Sequence, residues 1–315
     1  MNKPLALIDS MRFRSLPLSL AGVLLGIMLA ASEYRISITV AVLVVTTTVL
    51  LQILSNMSNE LGDSLSGVDR GDRDGPEYSL YKGALTAGEM KVAIVVIAVL
   101  CVISGLSMIY CSFGTLFCMD SICLMILGAA AIYGAVKYTL GRNPYGYRGL
   151  GDISVFTFFG IVAVCGSYFV AAHTFGSWLN LLPAAAIGMF SVGVLNVNNI
   201  RDMRTDKGYK VTLPLKMGPK WARIYHTSLI VGGWILLIVF NILKSRGQRY
   251  DLYAWHLPLA VWHYMFVVTL PLFVCHLYGV WTRDGKALDP MLPQLVLSTF
   301  LLCLLMGIGY VACWL

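Results

Sequence analysis

Nine runs of roughly 20 apolar residues, separated by short polar connections, constrain this chain more than any other feature. They extend approximately over residues 16–31, 36–54, 92–110, 116–136, 153–172, 178–195, 224–242, 255–274 and 291–314. As a helix, each is long enough to cross a hydrocarbon core about 30 Å thick. The runs are continuous, whereas the strands of a membrane barrel alternate apolar and polar residues. With 58% apolar and 12% charged residues, a soluble fold of 315 residues could not hide this surface. The expected fold is therefore all-α, a polytopic membrane protein with nine transmembrane helices in one domain spanning 1–315.

The first run follows a basic stretch ending at Arg14 and is not followed by a small-residue cleavage site, which predicts a retained helix. With the amino terminus in the cytoplasm and the carboxyl terminus outside, 19 of the 23 Lys and Arg fall on the inner side. Only Arg35, Lys244, Arg246 and Arg249 fall outside. The net charge of +7 then needs no nucleic-acid partner, and nothing points to an obligate protein partner. The eight Cys and five His show no metal-ligand or redox spacing, so packing roles are expected. The last three runs carry few polar signals and are expected as walls of a cavity or of its opening.

Two acidic clusters sit where an apolar run meets an inner loop. The first holds Asn56, Asn59, Glu60 and Asp63, then Asp69, Asp72 and Asp74. The second holds Asn196, Asn198, Asn199, Arg201, Asp202 and Asp206, then Lys207, Lys210 and Lys216. Residues three or four apart share a helix face, so each cluster forms a polar stripe. Carboxylates so spaced repel unless a cation lies between them, and hard oxygen ligands suit Mg²⁺ bridged to substrate phosphates. One such cluster alone reads first as a solvated helix end that anchors the topology. Two are more telling: Asn56 and Asn59 recur as Asn196 and Asn199, 140 residues on. That fits two related halves, approximately 10–140 and 150–280, facing each other across a central cavity. Opposed acidic ends can hold metal ions against a diphosphate, with Arg201, Lys207 and Lys210 touching its oxygens. A third segment, from Tyr138 through Arg142, Pro144, Tyr145, Tyr147 and Arg148 to Asp152, is broken by glycines; it suits either the headgroup interface or an aromatic, anionic ligand.

The stretches LQILSNMSNELGDSLSGVDRGDRDGPEYSLYK (51–82), YGYRGLGDISVFTFFG (145–160) and LNVNNIRDMRTDKGYKVTLPLKMG (195–218) resemble the 1,4-dihydroxy-2-naphthoate polyprenyltransferases, a branch of the UbiA superfamily. The resemblance implies nine helices around a central cavity and Mg²⁺-dependent transfer of a polyprenyl group from its diphosphate to 1,4-dihydroxy-2-naphthoate. Loss of the acceptor's carboxyl group then gives demethylmenaquinone, in a bacterial inner membrane. It assigns Asn59, Glu60, Asp63, Asp69, Asp202 and Asp206 to the metal, with Glu60 standing where the motif has Asp. Asn56, Asn198, Asn199, Arg201, Lys207 and Lys210 fall to the diphosphate, and Tyr138, Tyr145, Tyr147 and Arg148 to the acceptor side. Asp63, Asp202, Asp206, Arg148 and Tyr138 are the expected catalytic groups. Another aromatic acceptor, or a transporter with intramembrane acids acting as cation sites, shares the same gross hydropathy.

Overall fold

A computed structural model describes residues 3–68, 79–245, 253–254 and 257–312. Among these, nine helical stretches are long and apolar enough to cross a membrane. The first is bent. Helix α1 (Lys3–Ser10) is followed by Arg12, which turns the chain with φ 50° into a 3-10 turn at Phe13–Ser15 and then α2 (Leu16–Ala31). Helix α3 (Ile38–Leu65) starts on Ser37, whose hydroxyl accepts from the Val40 N–H. It runs well past the apolar stretch, so Asn56 through Asp63 lie on the helix itself. Thr86 and Glu89 form a capping box at the start of α4 (Ala87–Phe113), and Lys3 pairs with Glu89 at 2.6 Å, tying α1 to it. Helices α5 (Met119–Lys137), α6 (Gly151–Ala172), α7 (Leu181–Arg201), α8 (Pro219–Ser245), α9 (Leu270–Thr282) and α10 (Met291–Ala312) follow. The middle of α6, Phe156–Gly166, is π-helical, a form concentrated at functional sites.

The eighth span departs from its apolar run. The run covers 255–274, whereas the spanning stretch is Val261–Thr282. Ahead of it, Tyr253–Ala254 (β1) and Leu257–Pro258 (β2) pair antiparallel, a two-residue ladder in an otherwise helical protein. Pro271 lies in the first turn of α9, where its missing N–H costs no helical bond, so a helix begins there. At the far end the helix stops at Thr282, whose hydroxyl bonds the Tyr278 carbonyl at 2.8 Å.

Two apolar cores flank a cavity. One joins α2 with α6 through α10, around Phe190, Trp234, Phe266 and Phe273. The other joins α1, α3 and α4, around Leu54, Met57 and Met90. Valines 92 and 95 and Ile103 of α4 are more than half exposed, the side that meets lipid. Of the expectation that the last three spans wall the cavity or its opening, the part about the cavity is corrected. Among the described residues Leu292 alone reaches it from α8–α10. These helices pack behind α7, and their buried polar groups bond one another: His226 meets His276 at 3.0 Å, and His276 meets Gln294 at 2.6 Å.

Close approach of α6 and α7 depends on glycine. A Cβ at Gly160 would lie 2.6 Å from the Ala184 carbonyl oxygen and 2.6 Å from the Gly188 Cα. Small residues let membrane helices touch backbone to backbone. Gly160→Ala is therefore expected to cost about 1–3 kcal/mol, read as a lower melting temperature in detergent; an unchanged Tm would show that the crossing can relax.

Candidate active site

The cavity, about 1030 Å³, is apolar along most of its length and polar at one end. Its apolar walls come from α4, α5 and α6, among them Leu106, Ile109, Leu127, Phe158 and Phe159. Asn56, Asn59 and Asp63 share one face of α3 and line the polar end. Asp63 is the centre of this pole. Its Oδ1 accepts from the Tyr147 hydroxyl at 2.5 Å and pairs with Lys210 Nζ at 3.2 Å. The ammonium also stands 5.1 Å from the centre of the Tyr147 ring. The carbonyl of Asp206 accepts from the Lys210 N–H at 3.1 Å, which fixes the turn that delivers the lysine. Asn59 Oδ1 accepts from Thr139 at 3.1 Å, joining α3 to the end of α5.

Asn56 is spent on the fold as well as on the pole. Its amide donates to the Met11 carbonyl at 2.8 Å and to Ser15 at 2.8 Å, and its oxygen accepts from Gln52 at 3.0 Å. These bonds hold the α1–α2 junction under α3, and Arg12, at that junction, also lines the cavity. Glu60 faces elsewhere. It is fully buried, its Oε1 accepts from the Leu80 N–H at 3.0 Å, and it does not line the cavity. Asp69 lies outside the described residues.

The second cluster is divided. Asn198 and Asn199 of α7 line the cavity. Asp202 does not, and it is fully buried. Arg201 grips both its oxygens, Nε to Oδ1 at 2.7 Å and Nη2 to Oδ2 at 2.8 Å. The same guanidinium reaches Asp289 at 2.6 Å and the Asn198 oxygen at 2.9 Å. The structure thus turns Arg201 and Asp202 toward each other, and Asp206 is buried beside them off the cavity wall. Lys207 is exposed on a separate groove behind the 203–219 connection, which Lys210 also borders.

Between α5 and α6, left-handed Gly141, Asn143 and Gly149 break the helix, and Tyr145–Tyr147 forms a 3-10 turn. Tyr138, Tyr145, Tyr147 and Asp152 line the cavity from this side. Tyr145 donates to the Gly134 carbonyl at 2.8 Å and meets Ser154 at 3.0 Å, lacing the two helices together. Burial pushes the Tyr138 hydroxyl well above the ordinary tyrosine range, with Tyr145, Asp152 and Asp63 adding to the effect. Burial likewise raises Tyr145, so both phenols stay protonated donors. Arg148 is exposed and off the cavity wall, and its backbone bridges to Val211.

Among the described residues no three His, Cys, Asp or Glu side chains converge on one point. Among the described residues, what faces the pole is one carboxylate, Asp63, with the amides of Asn59, Asn198 and Asn199. That set fits Mg²⁺, which keeps waters and takes one or two carboxylates plus substrate phosphate oxygens. Sequence reasoning missed Arg12, whose only signal was a helix break among basic residues, and it gave Asp152 no separate role.

An apolar shaft closed by oxygen donors and a lysine defines a class: membrane enzymes whose substrate joins a long hydrocarbon to an anionic head. Residues 19–292 match the UbiA prenyltransferase family, and the chain belongs to that family of intramembrane prenyltransferases. It is 38% identical over 306 residues to a 1,4-dihydroxy-2-naphthoate octaprenyltransferase of Escherichia coli (strain K12), covering 96% of this chain and 94% of that one. A protein of the same description from Haemophilus influenzae is 34% identical over 305 residues, with 96% and 94% covered. A UbiA homolog from Aeropyrum pernix K1 shares the fold with a TM-score of 0.63 at 16% identity, over 96% of this chain and 97% of that one. A UbiA homolog from Archaeoglobus fulgidus, solved bound to GPP and Mg²⁺, gives 0.59 at 16% identity, over 97% and 100%. Family membership removes the transporter alternative.

Proposed function

We propose that this prenyltransferase moves a polyprenyl group from its diphosphate to 1,4-dihydroxy-2-naphthoate, with loss of CO₂, to give demethylmenaquinone in its reduced, quinol form. The observation that carries this reading is the placement of Asp63 and Lys210 at the polar end of a long apolar cavity. The naphthoate relatives support the acceptor. The donor's head lies against Asp63, Asn59, Asn198, Asn199 and Lys210, and its tail against Leu106, Ile109, Leu127 and Phe158. Bound Mg²⁺ supplies charge neutralisation for the departing pyrophosphate. Lys210 shares that load as a point charge, while the tyrosine faces of 138, 145 and 147 stabilise the allylic cation by about 0.5–2 kcal/mol each. The polar end faces the cytoplasm of a bacterial inner membrane, with the amino terminus on that side. Arg201 and Asp202 serve by fixing Asn198 rather than by touching the diphosphate.

Purified protein given octaprenyl diphosphate, Mg²⁺ and either dihydroxynaphthoate or hydroxybenzoate tests this. Mass spectrometry is expected to find prenylated, decarboxylated product from the naphthoate alone. Product from hydroxybenzoate at an equal rate would overturn the acceptor assignment.

A further inference from the structure

Asp152 is a carboxylate on the cavity wall that neither the metal nor the diphosphate requires. It occupies the first turn of α6, directly after Gly151. Its Oδ2 accepts from the Tyr225 hydroxyl of α8 at 2.9 Å, the one side-chain hydrogen bond it makes among the described residues. No Lys or Arg pairs with it among those residues. Tyr138 lines the same cavity as both acids, and its hydroxyl feels the charge of Asp63 and of Asp152. Gly151 lets that hydroxyl come close: a Cβ there would be 2.7 Å from it. The cavity thus carries one acid tied to a lysine at the diphosphate pole, and a second, without a cation, toward the tyrosines.

We propose that Asp152 is the general base for the acceptor, taking the proton from a ring hydroxyl as the aromatic carbon attacks. The inference rests on the naphthoate reading above. The O–H bond breaks and the proton passes to Asp152, while its electron pair moves into the ring. The adjacent ring carbon bonds C1 of the allyl group, and the C1–O bond breaks with its pair leaving on pyrophosphate. That ring carbon now carries the prenyl chain and the carboxylate beside a ketone. The carboxylate bond breaks, CO₂ departs, and the enolate oxygen recovers the proton from Asp152. The aspartate is regenerated, and no proton need enter from water. A base held within hydrogen-bond reach typically contributes about 10²–10⁴-fold in rate.

The titratable groups around Asp152 are the hydroxyls of Tyr138 from the end of α5 and Tyr225 from α8; α7 meets Gly151 with Leu195. With octaprenyl diphosphate, dihydroxynaphthoate and Mg²⁺, Asp152→Asn is expected to lower kcat by about 10²-fold or more with KM values held within about threefold. Its residual rate should climb with pH as the free acceptor ionises unaided, and Asp152→Glu should recover more than a tenth of the wild-type kcat. An Asp152→Asn enzyme within about threefold of wild-type kcat would overturn the proposal. If Asp152→Asn fails to fold, Asp152→Glu decides: a working enzyme supports the base, and a folded, inactive one overturns it. Wild type that makes no prenylated naphthol would instead sink the acceptor assignment, a result separate from either variant's behaviour.

Discussion

Asp63→Asn is expected to reduce turnover by about 10²–10³-fold while the protein still inserts and melts near the wild-type temperature. The amide keeps the shape of the side chain and can still accept from Tyr147, so the packing around α3 survives. What disappears is the one charge among the described residues that faces the polar end from α3 and balances Lys210. Without it the donor's diphosphate meets Lys210 but loses the carboxylate that fits Mg²⁺. Mg²⁺-dependent release of pyrophosphate, compared between wild type and variant in the same detergent, reads the effect. Release within about threefold of wild type would remove Asp63 from the chemistry.

Arg201→Met should act on a different quantity. The guanidinium is 4% exposed and joins Asp202, Asp289 and Asn198, so its loss leaves Asp202 buried without the fork that grips both its oxygens. Breaking a buried pair from one side costs about 3–5 kcal/mol, so a sharp drop in Tm is expected, with activity following the folded fraction. The double variant Arg201→Met/Asp202→Leu should recover part of that stability, because both charges leave together. If Arg201→Met melted normally and only its KM for the donor rose, Arg201 would be a diphosphate contact, as the basic character of its loop had suggested.

That contrast marks what a sequence can carry. The spans were readable because bilayer thickness sets a length, and the stripe of Asn56, Asn59 and Asp63 was readable because helix geometry fixes which residues share a face. The partner that Arg201 finds in the fold, Asp289, was not legible, because it lies 88 residues away on another span's threshold. A guanidinium two residues from a run of amides looks the same whether it reaches a ligand or a neighbour. Glu60 shows the same limit, since its bond to the Leu80 N–H depends on where a distant loop returns. The eighth span slid along its run because hydropathy does not distinguish a turn from a helix when both are apolar. Nothing in FTFFGIVAVCG announces a π-helix, and the two acids on the cavity wall, Asp63 and Asp152, come from stretches whose closeness only packing creates.

The partners of Asp63 have a consequence for biogenesis. Tyr147 and Lys210 are synthesised long after the carboxylate, whereas α1, α3 and α4 share an apolar core of their own. The amino-terminal lobe can therefore settle in the bilayer first, with its acidic tip wetted by water. Only when the connection after α7 emerges from the ribosome does the lysine arrive to neutralise that tip, so competence to hold an anionic head is among the last properties the nascent chain acquires.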